Sequence, residues 1–141
     1  MEFGELFKEI TLTLNALHRK RVCLDGQTLS QCFLLSSILD DGIDMSSLAQ
    51  KLGLDNSTMS RLVGTLFKKG FIEKRNDDYD RRVTKVYLTA EGEKEVIEIE
   101  EKLAQISRSA FDGVGEDKKG QLKESLETLH WILTKEQMRI N

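Results

Sequence analysis

The chain has 141 residues, 39% hydrophobic and 32% charged, with a net charge of −3. This fits a single domain with one modest core, residues 1–141, and excludes a disordered chain, two independent domains and a uniformly basic coat for nucleic acid. No apolar run approaches the roughly 18 residues of a membrane span, and the start MEFGELFKEI is amphipathic and acidic rather than signal-like, so a cytoplasmic protein with no membrane partner is expected.

Two cysteines, Cys23 and Cys32, are too few for a secreted disulfide scaffold and lack the close pairing of zinc ligands, so reduced thiols are expected. With no proline in the chain, nothing need interrupt long helices, and helix should dominate. The charge is uneven. Residues 1–60 and 86–141 are net acidic, −3 and −4, whereas Arg61 to Lys85 holds eight basic groups against four acidic ones, a net of +4. One basic element in an acidic chain suits a protein that meets phosphate with a single face.

Phe3, Leu6, Phe7, Ile10, Leu14 and Leu17 recur every three or four residues and predict a helix over about 3–21. Asp25 and Gly26 form a turn. A second helix follows, capped by Thr28 or Ser30 and closed by Asp40, Asp41 and Gly42. Ser46 or Ser47 is the expected cap of a third helix with Leu48, Ala49 and Leu52 inward, ended by Gly53 in the left-handed conformation that glycine enters cheaply. Asn56 or Ser57 opens a fourth, with Met59, Leu62, Val63, Leu66 and Phe67 on one face and Lys68 and Lys69 at its negative end. Two short helices around a tight glycine turn make a helix-turn-helix.

After Gly70 the pattern becomes that of a β-hairpin: FIEKR and VTKVYLT flank the polar loop NDDYDRR. Thr89 is the expected cap of a long fifth helix, with Val96, Ile99, Leu103 and Ile106 at coiled-coil-like spacing and Gly113 and Gly115 at its end. A last helix from Glu116 or Asp117 presents a seam of Leu122, Leu126, Leu129 and Leu133. The fold class is mainly α with a small β-hairpin wing.

A recognition helix in the major groove needs short donors near its start and longer cations behind them. NSTMSR supplies Ser57, Thr58, Ser60 and Arg61, and Lys68 adds a cation further along; Ser57 can equally be only a helix cap. Arg81 and Arg82 at the hairpin tip suit the minor groove, where narrow A/T stretches concentrate negative potential. Asp80 would repel phosphate, so its expected role is to pair with Arg82 and orient it. A solvated charged turn is the ordinary reading of such a run, less fitting directly after a helix-turn-helix.

The run SSLAQKLGLDNSTMSRLVGTLFKKGFIEKRNDDYDRRVTKVYLTAEGE, with its Asp-x-Arg wing and Leu-Thr-x-x-Gly exit, resembles the MarR family of winged helix-turn-helix regulators over nearly the whole chain. The resemblance implies a DNA-binding lobe over 29–88 and helical dimerisation regions at 1–24 and 89–141. It further implies a homodimer on a pseudo-palindromic operator in double-stranded DNA, with repression the usual outcome, and places Asp80 and Arg82 on the wing pair. The apolar faces of Phe3, Leu6, Phe7 and Ile10 and of Leu122, Leu126, Leu129 and Leu133 independently exceed what one small module can cover, which favours a two-fold dimer over terminal helices folded back on their own domain.

Members of that family often release DNA on binding a small phenolic or lipophilic anion, or on oxidation of a cysteine. The basic run Arg19, Lys20 and Arg21 before Cys23 favours a thiolate and makes Cys23 the candidate redox sensor, against the commoner role of a small apolar filler; Cys32, beside Phe33 and Leu34, reads as filler. His18 and His130 have no metal-ligand spacing, and no cofactor motif occurs. Without a phosphate loop, a nucleophile elbow or clustered ligands an enzyme is disfavoured. The principal alternative is a winged-helix module that binds protein and never DNA.

Overall fold

A computed structural model describes residues 1–140. The chain forms two compact units, Met1–Ala104 and a second beginning at Gln105. The first contains α1 (Phe3–Leu17), a π-helical turn (His18–Val22), α2 (Leu29–Ser36), β1 (Ile43–Asp44), α3 (Met45–Leu52), α4 (Asn56–Lys68), β2 (Ile72–Asn76), β3 (Thr84–Leu88) and the first part of α5 (Ala90–Ala110). The second contains the end of α5 and α6 (Glu116–Met138). Helix dominates, and a three-stranded antiparallel sheet in the order β1-β3-β2 carries the hairpin, with Ile72 opposite Leu88 and Asn76 opposite Thr84.

The helix expected over 3–21 changes character at Leu17. Its next turn widens, and the Cys23 N–H donates to the His18 carbonyl at 2.7 Å. One extra residue in the ladder turns the following side chains by about 100°. Val22 is thereby fully buried while Arg19, Lys20 and Arg21 remain exposed.

Thr28 caps α2 through a reciprocal pair: its Oγ1 accepts the Gln31 N–H at 3.1 Å, and Gln31 Oε1 accepts the Thr28 N–H at 3.2 Å. The caps of α3 and α4 lie upstream of the serines and asparagine expected from sequence. Asp44 Oδ2 accepts the Ser47 N–H at 2.9 Å and its carboxylate also takes the Ser46 and Ser47 hydroxyls, while Asp55 Oδ1 accepts the Thr58 N–H at 2.7 Å. A carboxylate outcompetes a hydroxyl here because it brings full negative charge to the positive helix end.

The Ser46 hydroxyl, and then the Ser47 amide, hold the Asp44 carboxyl below its ordinary value of 3.8. A folded pKa below the unfolded one gives stability that is complete above 3.8 and lost as pH falls through the folded value. Replacing Asp44 with alanine is expected to cost about 1 kcal/mol at neutral pH. Urea unfolding should show that difference shrink as pH is taken well below 3.8; a gap that persists in acid would assign the loss to packing instead.

The core of this unit joins Leu34 and Leu35 of α2, Leu48 of α3, Met59, Val63 and Leu66 of α4, Ile72 and Val86, with Val96 of α5 packed against it. Gly53, with φ at 68°, makes the turn between α3 and α4. Phe67, expected inward, is half exposed, with the Lys74 ammonium 5.0 Å from its ring centroid. Met59, Val63 and Leu66 already fill the inward face, and Phe67 lies about 100° around the helix from Leu66. Strand β1 gave no sequence signal because two residues cannot alternate; Ile43 pairs with Val86.

Thr89 caps α5, its Oγ1 accepting the Gly92 N–H at 3.1 Å and donating to the Gly70 carbonyl at 2.6 Å. On α1, Phe3, Leu6 and Ile10 are exposed and Phe7 half-buried. In the second unit α6 buries no residue completely: Leu122, Leu126 and Leu133 are exposed and Leu129 half-buried. Among the described residues no helix is long and apolar enough to cross a membrane.

Candidate nucleic-acid interface

Because Asp55 takes the cap of α4, Ser57 is relieved of that duty. Ser57, Ser60 and Arg61 are exposed on the first turns of the helix. Thr58 is half-buried, and both its amide and its hydroxyl serve the Asp55 carboxylate, which they hold below the usual carboxylate range. Lys68 is exposed at the far end of α4.

The wing loop between β2 and β3 is closed by its own hydrogen bonds. Asp77 N–H donates to the Val83 carbonyl at 2.8 Å, Asn76 Nδ2 to the Arg81 carbonyl at 2.9 Å, and Asp80 N–H to Asp77 Oδ2 at 3.1 Å. Arg82 then meets Asp80 in a fork: Nε donates to Oδ1 at 3.0 Å and Nη2 to Oδ2 at 3.1 Å, while the Arg82 backbone N–H also reaches Oδ1. The Arg82 side chain is 90% exposed. The pair lowers the Asp80 pKa and raises that of Arg82 through the same hydrogen bonds. A long, mobile cation is held out from the wing in one orientation, with little stability at stake in so exposed a pair.

Two other cations of the basic stretch are already engaged. Arg75 stacks on the Tyr87 ring at 4.2 Å and pairs with Glu73, and Lys69 Nζ reaches the Gly26 carbonyl and Gln31 Oε1 at 3.4 Å each. Arg81 is exposed beside the ordered Arg82.

Ser60 and Arg82 also meet across a cleft of about 290 Å³ whose polar wall includes Ser46, Asn56 and Thr84. The starts of α3 and α4 and the base of the wing thus line one hollow of mixed character, with Met45, Met59 and Val83 as its apolar part. Ser46, Asn56 and Thr84 were missed as site residues. The first two had the sequence signal of helix caps, and Thr84 that of an ordinary strand residue.

A second cleft, about 470 Å³, is lined by Arg19, Cys23, Gln27 and Thr28 among others. Its loop is tied to its surroundings at two points: Gln27 Nε2 donates to Glu95 Oε2 of α5 at 2.9 Å, and Lys69, just beyond α4, holds Gly26. Burial, and then the neighbouring Cys23, push the Cys32 thiol up to about 12.

Helix α3, the Gly53 turn, helix α4 with its exposed outer face and the ordered hairpin define a winged helix-turn-helix module. A family model described as the MarR family matches residues 28–84. The HTH-type transcriptional repressor MdtR of Bacillus subtilis (strain 168) is 31% identical over 108 residues, covering 71% of this chain and 68% of its own. Two solved structures share the fold: the Streptococcus pneumoniae FabT structure in complex with DNA, at a TM-score of 0.76, 20% identity and coverage of 95% and 99% of the two chains, and the PcaV transcriptional regulator from Streptomyces coelicolor in complex with its natural ligand, at 0.73, 21%, and 92% of each. The chain belongs to the MarR family of transcriptional regulators.

Proposed function

We propose that the protein represses transcription in the cytoplasm by binding double-stranded DNA as a homodimer at a pseudo-palindromic operator, and lets go when a small phenolic or lipophilic anion binds. The observation that carries the DNA reading is the forked Asp80–Arg82 pair: a rigid, outward cation on a wing in the same unit as an exposed helix start bearing Ser57, Ser60 and Arg61. Residues 29–88 form the DNA-binding lobe in this reading. Ser57, Ser60 and Arg61 address the major groove, with Thr58 supporting the helix start. Arg81 and Arg82, oriented by Asp80, address the minor groove, and Lys68 serves phosphate. The complex of FabT with DNA supports it by likeness of fold.

Fluorescence anisotropy against the protein's own upstream duplex and a scrambled one, across a salt series, tests it. Tight binding to the upstream duplex alone, with log affinity falling by about 0.9 per phosphate contact per decade of salt, is the expected result. If neither that duplex nor a pool of genomic fragments binds at low salt, the protein-docking alternative takes its place.

Residues 1–24 and 89–141 supply the dimer contacts. Support comes from apolar side chains left open on both: Phe3, Leu6 and Ile10 on α1, and on α6 a groove of about 440 Å³ with Leu122 and Leu126 opposite Phe111. Exposed apolar faces of this extent mark association surfaces. Introducing glutamate at Leu126 and Leu133 together is expected to yield a monomer by light scattering and to abolish tight operator binding. A dimer that survives would move the interface elsewhere.

The effector site in this reading is the 470 Å³ cleft, where Arg19 offers a guanidinium to a carboxylate or phenolate. The ligand-bound PcaV structure supports a small-molecule effector by likeness of fold alone.

A further inference from the structure

Tyr79 stands at the tip of the wing and is 100% exposed. The other exposed aromatic rings each carry a neighbour: Phe67 has the Lys74 ammonium at 5.0 Å, Trp131 has that of Lys135 at 4.2 Å, and Phe3 faces Phe7 at 5.9 Å. The Tyr79 side chain meets no ring, cation or hydrogen-bond partner among the described residues. The loop beneath it is nonetheless braced. Val83 N–H donates to the Asp80 carbonyl at 3.0 Å, and the bonds from Asp77 to Val83 and from Asp80 to Asp77 close the turn on both sides of the ring. An aromatic ring carries a large apolar area for an interface to bury, and a braced turn presents it with little ordering cost at the moment of contact.

The charge around the ring indicates the surface it fits. Residues 77–82 hold three carboxylates against two guanidiniums, a net of −1, so the tip as a whole is not drawn to phosphate. Asp77 and Asp80 are turned to the loop's own donors, and Arg81 and Arg82 follow directly behind the ring. A neutral ring in front of two cations suits the floor of the minor groove, where base edges lie between two phosphate walls.

We infer that Tyr79 reads the minor groove: its ring lies against the edge of an A·T pair and is kept off a G·C pair by the guanine 2-amino group. In that groove A·T and T·A pairs show only the acceptors adenine N3 and thymine O2, and a G·C pair adds the amino donor. The phenol O–H can donate to either A·T acceptor, whereas the amino group fills the space the ring needs. Arg81 and Arg82 hold the wing in the negative potential of a narrow groove, and Tyr79 chooses the base pair. The inference rests on the DNA reading above.

Inosine separates the two grooves, because an I·C pair lacks the 2-amino group and so matches A·T in the minor groove and G·C in the major groove. A·T, I·C or G·C is placed at each flank position of the upstream duplex, or of the genomic fragment that binds in its stead, and anisotropy is measured for the wild type, Tyr79→Ala and Tyr79→Phe. For the wild type, G·C is expected to weaken binding about tenfold at one position in each flank, with I·C within about twofold of A·T. There Tyr79→Ala should bind all three duplexes alike and Tyr79→Phe should keep the preference through its ring. Neither should alter the salt dependence, because no charge is lost. Binding to I·C as weak as to G·C would place the discrimination in the major groove, and a preference that survives in Tyr79→Ala would give it to another residue; either overturns the inference. So do a Tyr79→Phe variant that behaves as alanine, a flattened salt slope in Tyr79→Ala, which would mean that the arginines have moved, and a wild type indifferent to every flank position. A protein that binds no duplex at low salt counts against the DNA reading itself and takes the inference with it.

Discussion

With Arg81 and Arg82 both replaced by glutamate, affinity for operator DNA is expected to fall by about 100-fold or more, with dimerisation and unfolding midpoint unchanged. Charge-assisted hydrogen bonds are worth about 1.5–3 kcal/mol each, and reversal adds repulsion to their loss. The salt dependence should flatten by about 1.8 units if each arginine neutralises one phosphate. Stability should hold because Arg82 is 90% exposed and its ion pair is with the partly exposed Asp80. The Asp80→Ala variant separates orientation from charge: it removes a negative group from the wing, so pure electrostatics predicts tighter binding. The fork predicts weaker binding, because Arg82 must then be ordered at the expense of binding energy. Anisotropy on the three proteins at matched salt decides, and a double reversal without effect would remove the wing from the interface.

The Gly92→Ala variant should lose about 2–4 kcal/mol of stability, even though alanine is the better helix former by about 1 kcal/mol. Gly92 is buried in the first turn of α5, and a Cβ built there collides with the Phe71 carbonyl oxygen and comes within 3.2 Å of Leu88 Cδ2. The obstacle is backbone, and it cannot easily yield: the Phe71 carbonyl accepts the Thr89 N–H at 3.0 Å, and Thr89 Oγ1 holds the Gly70 carbonyl. Around Gly64 in the middle of α4, no atom of the described residues beyond its chain neighbours and its own helix backbone lies within 4 Å of an added Cβ, so Gly64→Ala should instead gain up to about 1 kcal/mol. Paired urea titrations read both; equal midpoints for the two variants would mean that the α5 start shifts freely.

Much of the fold around the candidate site was legible in the chain because its signals are local. Periodicity located α3 and α4, Gly53 marked the turn, and the +4 stretch from Arg61 to Lys85 singled out the face proposed to meet DNA. The Leu-Thr-x-x-Gly exit was recognisable as a pattern, but its reason, backbone against backbone at Phe71 and Gly92, was not. Caps were harder. Asp44 and Asp55 stand one to three residues before the serines and asparagine that compete with them, and the chain path into each helix chooses among neighbours of equal propensity.

Hydrophobic spacing, turn residues and charge order lie within one or two turns of chain, so they sufficed for the helices, the hairpin and the basic face. Strand β1 needed β3 beside it, and the π-helical turn accompanies the burial of Val22. The hollow shared by Ser46, Ser60 and Thr84 and the ties from Lys69 and Glu95 join residues whose propensities carry no information about one another. Packing of the common core brought them together, because burying Leu34, Leu48, Leu66 and Val86 at once leaves the connecting loops few places to run.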